Sequence, residues 1–288
     1  MSDIQLAVIG GSGLYGMAGL TAVEEVTIST PFGDPSDSII VGTLHGRRVA
    51  FLPRHGRGHT LNPSEVPYRA NIFALKVLGV KYVVSVSACG SLREAFAPGH
   101  VLAPDQLVDF TKKRAASFFE QGLVAHVGTA DPFSPELSRV VTNAVRKSGG
   151  TVHEGGTFIT IEGPRFSTKA ESNLYRQWGM SIIGMTTSPE AFLAAEAEMA
   201  YAVMAHITDY DVWHADEGPV SLDRVLQVLH GNTSLAQQAI SHIAQTMDEW
   251  AGDFAAHHTL KDALITDRAH IPAVLKVALK PLVGKYLE

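Results

Sequence analysis

Cysteine is nearly absent from this chain: Cys89 is the only one among 288 residues. A lone cysteine excludes an intrachain disulfide framework and a cysteine-rich zinc site. Charge is also sparse, with Asp, Glu, Lys and Arg making up 18% of the residues. The 23 basic residues against 29 acidic ones give a formal net charge of −6 with histidine neutral. That balance argues against a uniformly basic binder of nucleic acid or membrane surfaces. No apolar run reaches the ~18 residues of a membrane span. The N-terminal Met1–Gln5 has no basic region, and Leu6–Ile9 is too short for a signal-peptide core. The expectation is a cytoplasmic protein with neither nucleic-acid nor membrane partners. The 45% apolar fraction is that of an ordinary folded domain.

At ~150 residues per domain the length allows two domains or one large α/β unit. Leu6–Ile9, Ser38–Leu44, Val49–Leu52, Tyr82–Val86, Phe158–Ile161, Ile182–Gly184 and Tyr201–Thr208 are apolar or β-branched runs that read as strands. Helix starts alternate with them. Asn62-Pro63-Ser64-Glu65 predicts a helix running to Leu78 and stopped by Gly79, and Ser134-Pro135-Glu136 one ended by Gly149-Gly150. Thr168-Lys169-Ala170-Glu171 has capping-box spacing, Ser188-Pro189-Glu190 caps another helix, and a long helical pattern follows Ser221. Strands alternating with helices predict an α/β fold around a parallel or mixed sheet. No Gly/Ser linker divides the chain, so residues 1–288 are expected to form one domain. The segment after about Gly252 has weaker periodicity and is expected to wrap the surface as a tail.

Gly11-Ser12-Gly13-Leu14-Tyr15-Gly16 matches the dinucleotide pattern G-x-G-x-x-G directly after a strand. A nicotinamide-dependent oxidoreductase also needs a helix opening inside the motif and an acid ending a second strand ~20 residues later. Gly16-Met17-Ala18-Gly19-Leu20 leaves no room for that helix, and Thr27–Thr30 runs into Pro31 without the acid. The favoured reading is a glycine loop whose N–H groups, with the Ser12 hydroxyl, hold a smaller anion. A second anion signal follows: residues 38–64 contain no Asp or Glu but include Arg47, Arg48, Arg54, Arg57, His45, His55 and His59. At its centre, Arg54 and His55 stand just past a strand end, where an arginine fork and a histidine donor would suit phosphate. The bland alternative is a solvated charged turn. His55 and His59 have metal-pair spacing, but the glycines between them and the lack of a third ligand disfavour a metal.

Ser85–Ser91 is a strand end of small residues on which a ligand can approach the backbone, with Ser87 as a donor. Cys89 there is read as inert packing rather than a nucleophile. No G-x-S-x-G elbow marks a serine hydrolase. Tyr201–Ile207 is apolar or small apart from His206 and ends in Thr208-Asp209-Tyr210-Asp211. Positions i and i+2 of a strand share a side, so Asp209 and Asp211 are expected to reach one ligand. Two like charges so close raise one pKa, which suits a proton donor to a leaving group. Solvated aspartates at a strand-end turn are the competing reading.

Taken together, Gly10–Leu14, Arg54–Arg57, Ala88–Glu94, Glu162–Ser167, Met185–Thr187 and Thr208–Trp213 resemble the motifs of the methylthioadenosine phosphorylases, in the trimeric branch of the purine nucleoside phosphorylase superfamily. Each motif is weak alone; six in order are specific. The resemblance implies a single α/β domain with a central mixed, barrel-like sheet flanked by helices, assembled as a homotrimer. It implies phosphorolysis of a methylthioadenosine-type nucleoside, with inorganic phosphate as co-substrate and no cofactor or metal. Ser12, Arg54, His55, Ser87, Ala88 and Thr186 would bind phosphate. Phe166 and Met185 would line the ribose, and Ser167, Asp209 and Asp211 would face the purine, with Tyr210 in the same substrate-binding segment. His126 falls where the family supplies a residue to the neighbouring subunit's site. Leu222 and Val225 match its apolar pocket for the 5′-alkylthio group. Human-like members carry threonine in place of Ser12 and Ser87, and a smaller residue in place of Leu222. Two aspartates at the base suit a 6-amino purine, whose amine is a donor; 6-oxopurine members place an amide there. Broader purine nucleoside or methylthioinosine use is the nearest alternative, and a non-catalytic nucleoside-binding module is a more distant one.

Overall fold

The computed structural model describes residues 4–11, 13–214 and 222–287, with the main chain only for 222–231. In chain order, β1 (Leu6–Gly10), β2 (Thr21–Val26), β3 (Ile39–Leu44) and β4 (Arg47–Pro53) precede α1 (Tyr68–Val77). Next come β5 (Tyr82–Ser91), β6 (Val101–Ala103), β7 (Gln106–Phe110), α2 (Pro135–Lys147), β8 (Val152–Glu154) and β9 (Thr157–Ile161). The elements α3 (Lys169–Gln177), β10 (Ile182–Gly184), α4 (Thr187–Glu196), β11 (Ala200–Asp209) and α5 (Leu222–Gln245) follow. Beyond α5 lie α6 (Met247–Trp250), α7 (Ala273–Ala278) and α8 (Lys280–Leu287).

All the strands belong to one mixed sheet of order β2-β3-β4-β1-β5-β10-β9-β7, with a branch through β11 and β6 to β8. The branch arises because β5 is ten residues long. Its first half pairs with β1, its last residues pair antiparallel with β10, and its other edge carries β11. The sheet therefore curls and forks but does not close. Among the described residues no pairing joins β2, β7 and β8, so the barrel-like closure implied by the resemblance is not reached. Helices cover both faces. Ala200, Ala202 and Met204 of β11 pack with residues of α2 and α5, while Tyr201, Val203, Ala205 and Ile207 pack on the side of α1 and α4. This alternation of an all-buried strand accounts for its nearly unbroken apolar run.

Two of the caps form as their spacing predicts, whereas Ser188 Oγ has no hydrogen-bond partner and α4 opens at Thr187 with Ser188 itself non-helical. Ser134 Oγ accepts from Leu137 N, and Thr168 and Glu171 close a reciprocal capping box. Helix α1 is different, starting at Tyr68 rather than near Asn62. Pro67 lacks an N–H and disfavours the helical region for the residue before it, so residues 62–67 form turns in which Asn62 Oδ1 accepts from Ser64 N. Four strands escape sequence reading: β2 is an exposed edge strand with two glutamates, β6 and β8 are three residues long, and β7 is largely solvent-facing. The tail is anchored. Leu282 and Val283 of α8 are buried, and Lys285 Nζ and the Tyr286 hydroxyl both reach Glu198.

Candidate active site

Strands β4, β1, β5 and β11 run parallel, so their carboxyl ends share one edge of the sheet. Ligands collect at such an edge because the chain leaves it in loops whose polar groups are not used by the sheet. Here the edge opens into a cavity of about 770 Å³ lined by Gly10, Gly11, Gly13, Arg54, His55, Ser87–Gly90, Met185, Thr186, Asp209 and Asp211.

One side of the cavity suits an anion. After β1 the chain turns through Leu14 N→Gly11 O, and the next element is β2, not a helix. The oxidoreductase reading of Gly11–Gly16 thereby loses the helix it requires. Ser12 itself lies outside the described residues. Ser87, Ala88 and Thr186 line the cavity, Thr186 immediately before α4.

Arg54 is 3% exposed and is held by the fully buried Glu190 through Nε–Oε2 and Nη2–Oε1 contacts of 2.9 Å each. It also donates to Ser85 Oγ (2.6 Å), Val86 O (3.2 Å) and Ile9 O (3.4 Å). These contacts occupy four of its five N–H groups and leave one on Nη1. His55 Nδ1 lies 2.9 Å from Leu61 O, so that nitrogen carries the proton. Burial and the Arg54 charge lower the His55 pKa to about 4. The neutral ring therefore presents Nε2 as an acceptor, whereas the sequence led us to expect a donor. Arg57 leaves the site altogether: it is half-exposed and chelated by Glu25 and Asp37.

The opposite side suits a base. Asp209 and Asp211 are each 6% exposed. Strand alternation does not bring them together, because β11 ends at Asp209. Asp211 turns into the left-handed region (φ 52°), and its N–H donates to Asp209 Oδ1 at 2.7 Å. This aspartate-capped turn folds both carboxyls toward one spot. Thr208 Oγ1 donates to Asp209 Oδ2 at 2.7 Å, while Asp211 Oδ2 has no protein partner. Burial is the main cause raising the Asp211 pKa; the Ser172 hydroxyl opposes it, and the Asp209 charge adds to it. Like-charge repulsion, the cause expected from sequence, is secondary. Gly90 lies beneath the pair: a Cβ there would sit 3.1 Å from Asp209 Oδ1 and 3.3 Å from Asp211 Cβ. Ser167, whose hydroxyl also opposes the rise of the Asp211 pKa, and the exposed ring of Phe166 line the same side.

A family model described as the phosphorylase superfamily matches residues 5–245. The chain belongs to the phosphorylase superfamily. It is 55% identical over 289 aligned residues to S-methyl-5′-thioadenosine phosphorylase of Chloroflexus aurantiacus, covering 99% of each chain. It is 50% identical to the protein of that name from Geobacter sulfurreducens, covering 98% of this chain and 99% of the other. Among solved structures, a methylthioadenosine phosphorylase from an Antarctic soil metagenomic library superposes with a TM-score of 0.94 at 48% identity, covering 98% of this chain and 99% of that one. The Schistosoma mansoni methylthioadenosine phosphorylase in complex with adenine gives 0.85 at 32% identity, covering 91% and 99%.

Within this superfamily member the remaining expected residues fall in different places. Met185 lines the cavity, and its carbonyl accepts from Arg114 Nη1 at 2.6 Å. The Tyr210 ring instead stacks with His214, and its hydroxyl donates to Glu94 O, away from the cavity lining. His126 is exposed on a loop joined to Ala263 and lies outside its own chain's cavity. Leu222 and Val225 are in the first turns of α5, with side chains outside the described residues.

Two supporting residues are invisible in the sequence. Glu190 reads only as a helix-start acid. Arg114 reads as the end of a surface Lys-Lys-Arg run, yet its side chain is buried and donates to Met185 O, Ser188 O, Glu162 O and Tyr68 Oη. It thereby ties the Glu162–Ser167 segment to the Met185–Ser188 segment. Gly163 (φ 65°) makes room there, since a Cβ would meet Met185 Sδ at 2.6 Å. No local pattern signals either role, because both partners are distant in sequence.

Proposed function

We propose that this superfamily member is a pentosyltransferase that cleaves S-methyl-5′-thioadenosine with inorganic phosphate, releasing adenine and 5-methylthioribose 1-phosphate. The observation carrying the proposal is a buried carboxylate pair facing an anion loop across one cavity, sized for a nucleoside with phosphate beneath it. Relatives of near-equal length named for this activity support it.

In this reading phosphate lies among the Gly10–Gly13 turn (Ser12 included), Ser87, Ala88, Thr186 and the remaining Nη1–H of Arg54. Glu190 offsets the Arg54 charge, so the anion is held largely by neutral donors. His55 Nε2 accepts a hydrogen bond from a protonated phosphate oxygen, so the bound anion carries at least one proton. Phosphate attacks C1′ as the C1′–N9 bond loosens, and its negative charge stabilises the oxocarbenium-like sugar. Phe166 and Met185 enclose the ribose. Burial disfavours two charges on Asp209 and Asp211, so the pair holds one proton. The proton rests on Asp211, whose pKa burial raises, and passes to N7 of the departing adenine through Asp209; Asp211, then ionised, accepts from the exocyclic amine. Ser167 borders the purine and Tyr210 fixes the turn that carries the pair.

We further propose that residues 1–288 act as one domain with 252–288 as a packed tail, that Leu222 and Val225 meet the 5′-alkylthio group, and that the enzyme is a homotrimer. The exposed His126, with the exposed Val124 and Ile265 beside it, supports a role in the neighbouring subunit's site. Among the described residues no helix is long and apolar enough to cross a membrane.

The decisive assay is adenine release from methylthioadenosine, adenosine and inosine, with and without phosphate. Release from methylthioadenosine only with phosphate is expected. Phosphate-independent release would overturn the mechanism, and inosine as the best substrate would overturn the assignment of the aspartate pair.

A further inference from the structure

Helix hydroxyls elsewhere in this protein bond back to their own helix. Ser148 Oγ donates to Ala144 O at 2.9 Å, Thr246 Oγ1 to His242 O at 2.9 Å, and Thr142 Oγ1 to Arg139 O at 3.1 Å. Ser172 of α3 is placed to do the same with Thr168 O, which its backbone N–H already reaches at 2.9 Å. Its side chain does not: Ser172 is fully buried, and Oγ makes no well-formed hydrogen bond. Close by is a buried acceptor in the complementary condition, Asp211 Oδ2. Ser172, Tyr175 and Arg176 stand at i, i+3 and i+4 and so share one face of α3. That face packs on the segment carrying the aspartates. The Arg176 guanidinium lies 3.3 Å over the Trp213 ring, and Trp213 packs against the small core that contains Tyr175. Trp213 Nε1 donates to Ser91 O at 2.7 Å, which clamps the turn between α3 and the end of β5. The Ser172 hydroxyl is close enough to Asp211 to lower its pKa against burial, yet the two are not aligned as a hydrogen bond.

Ser172 is not among the residues lining the cavity, so it meets Asp211 from behind, out of reach of a ligand. What a donor does there depends on the state of the carboxyl. A hydrogen bond to an ionised carboxylate is roughly twice as strong as one to a neutral acceptor. In the reaction as read above, Asp211 ionises as its proton passes through Asp209 to N7 of the departing base. The donor therefore gains strength while the C1′–N9 bond breaks, and an interaction that strengthens toward the transition state raises kcat rather than affinity. The other groups packed around Asp211 leave this role to a hydroxyl. Asp209 on β11 is an acid itself, and burial raises the pKa of the Cys89 thiol on β5 and of the Tyr175 phenol on α3, so both stay neutral. Arg176 is turned to Trp213, and Ser167 adds a second, neutral hydroxyl. We propose that Ser172 is a positioning residue for this reaction: from behind Asp211, its hydroxyl takes up the carboxylate as the proton leaves for the base. This rests on the phosphorylase reading above.

The test is the pH dependence of kcat and KM for methylthioadenosine at saturating phosphate. Wild type and variants are compared under the same conditions, so that titration of phosphate itself cancels. Ser172→Ala removes the donor to the ionised form, and Asp211 then holds its proton more tightly. The expected result is a kcat lower by about tenfold with KM nearly unchanged, and an alkaline limb, on which the pair loses its proton, moved up by about one pH unit. Ser172→Cys fills the same space with a weak donor and should behave like the alanine variant, whereas Ser172→Thr keeps the hydroxyl and should return the limb toward wild type. If Ser172→Ala does not fold, the cysteine and threonine variants decide the matter. A wild type without an alkaline limb, a limb that neither alanine nor cysteine moves, or a loss confined to KM overturns the positioning role. In those cases the wild type still cleaves methylthioadenosine with phosphate, so the phosphorylase reading survives. Absence of phosphate-dependent cleavage by the wild type overturns that reading and the role of Ser172 with it.

Discussion

Replacing Glu190 by glutamine tests whether its carboxylate is the counter-charge that holds Arg54 in the cavity wall. Glu190 is fully buried and accepts twice from Arg54 at 2.9 Å and once from the Tyr201 hydroxyl at 2.7 Å. Glutamine preserves the shape but removes the charge and turns one acceptor into a donor that faces an Arg54 N–H. The guanidinium, 3% exposed, then has no counter-charge. Breaking a buried ion pair on one side costs about 3–5 kcal/mol. For a domain of this size that corresponds to a melting temperature lower by roughly 5–8 °C. Phosphate supplies the missing negative charge beside Arg54, so it should stabilise the variant more than the wild type through binding to the native state. The assay is thermal and urea unfolding of both proteins in phosphate-free buffer and over a phosphate titration. A loss below ~1 kcal/mol would show that the pair is not the counter-charge we describe. Equal stabilisation of both proteins by phosphate would refute the placement of the anion next to Arg54.

Four further outcomes are expected. Asp209→Asn should lower kcat for methylthioadenosine at least ~10²-fold, a usual size for lost acid–base catalysis; an unchanged kcat removes Asp209 as proton donor. Gly90→Ala places a methyl 3.1 Å from Asp209 Oδ1. It should lower kcat/KM by about tenfold or more through misalignment of the pair, so a fully active variant would contradict the close packing. Arg114→Lys replaces a guanidinium serving four acceptors by a single ammonium, and should raise KM for phosphate and nucleoside about tenfold; steady-state kinetics with both substrates varied would check this.

The fourth outcome concerns Glu196, which is buried with Ser117 Oγ and Phe118 N donating to it; burial lifts its pKa from 4.5 to about 7. The native state then binds the proton more tightly than the unfolded chain, so Glu196 makes stability fall as pH rises from about 4.5 to 7, by roughly 3 kcal/mol. Urea unfolding across that range should show this slope in the wild type and lose it in Glu196→Gln.

The strands that escaped sequence reading are those whose sequence carries no burial signal, such as the glutamate-bearing edge strand Thr21–Val26. Buried strands such as Tyr201–Thr208 announce themselves, because both faces of a covered strand must be apolar. The acid-free stretch 38–64 is more instructive. Its arginines look unpaired along the chain, yet Arg47 meets Asp248, Arg48 meets Glu24, Arg54 meets Glu190, and Arg57 meets Glu25 and Asp37. Every one of those acids lies outside the stretch, and a local charge count cannot see them. The same blindness hides Arg114, which is indistinguishable in sequence from a solvated cation.

Local chemistry was therefore decided by the sequence itself: helix caps at Ser134 and Thr168, the glycine turn after the first strand, and the paired aspartates at the end of the last. Each depends on residues within a few positions of one another. Tertiary structure alone decided the electrostatics. Which arginine keeps an N–H toward the anion, which nitrogen of His55 is bare, and which aspartate is pushed toward its neutral form follow from burial and from partners far away in sequence. Those quantities depend on desolvation and on distances of a few ångströms, and neither exists until the sheet has brought its strand ends together.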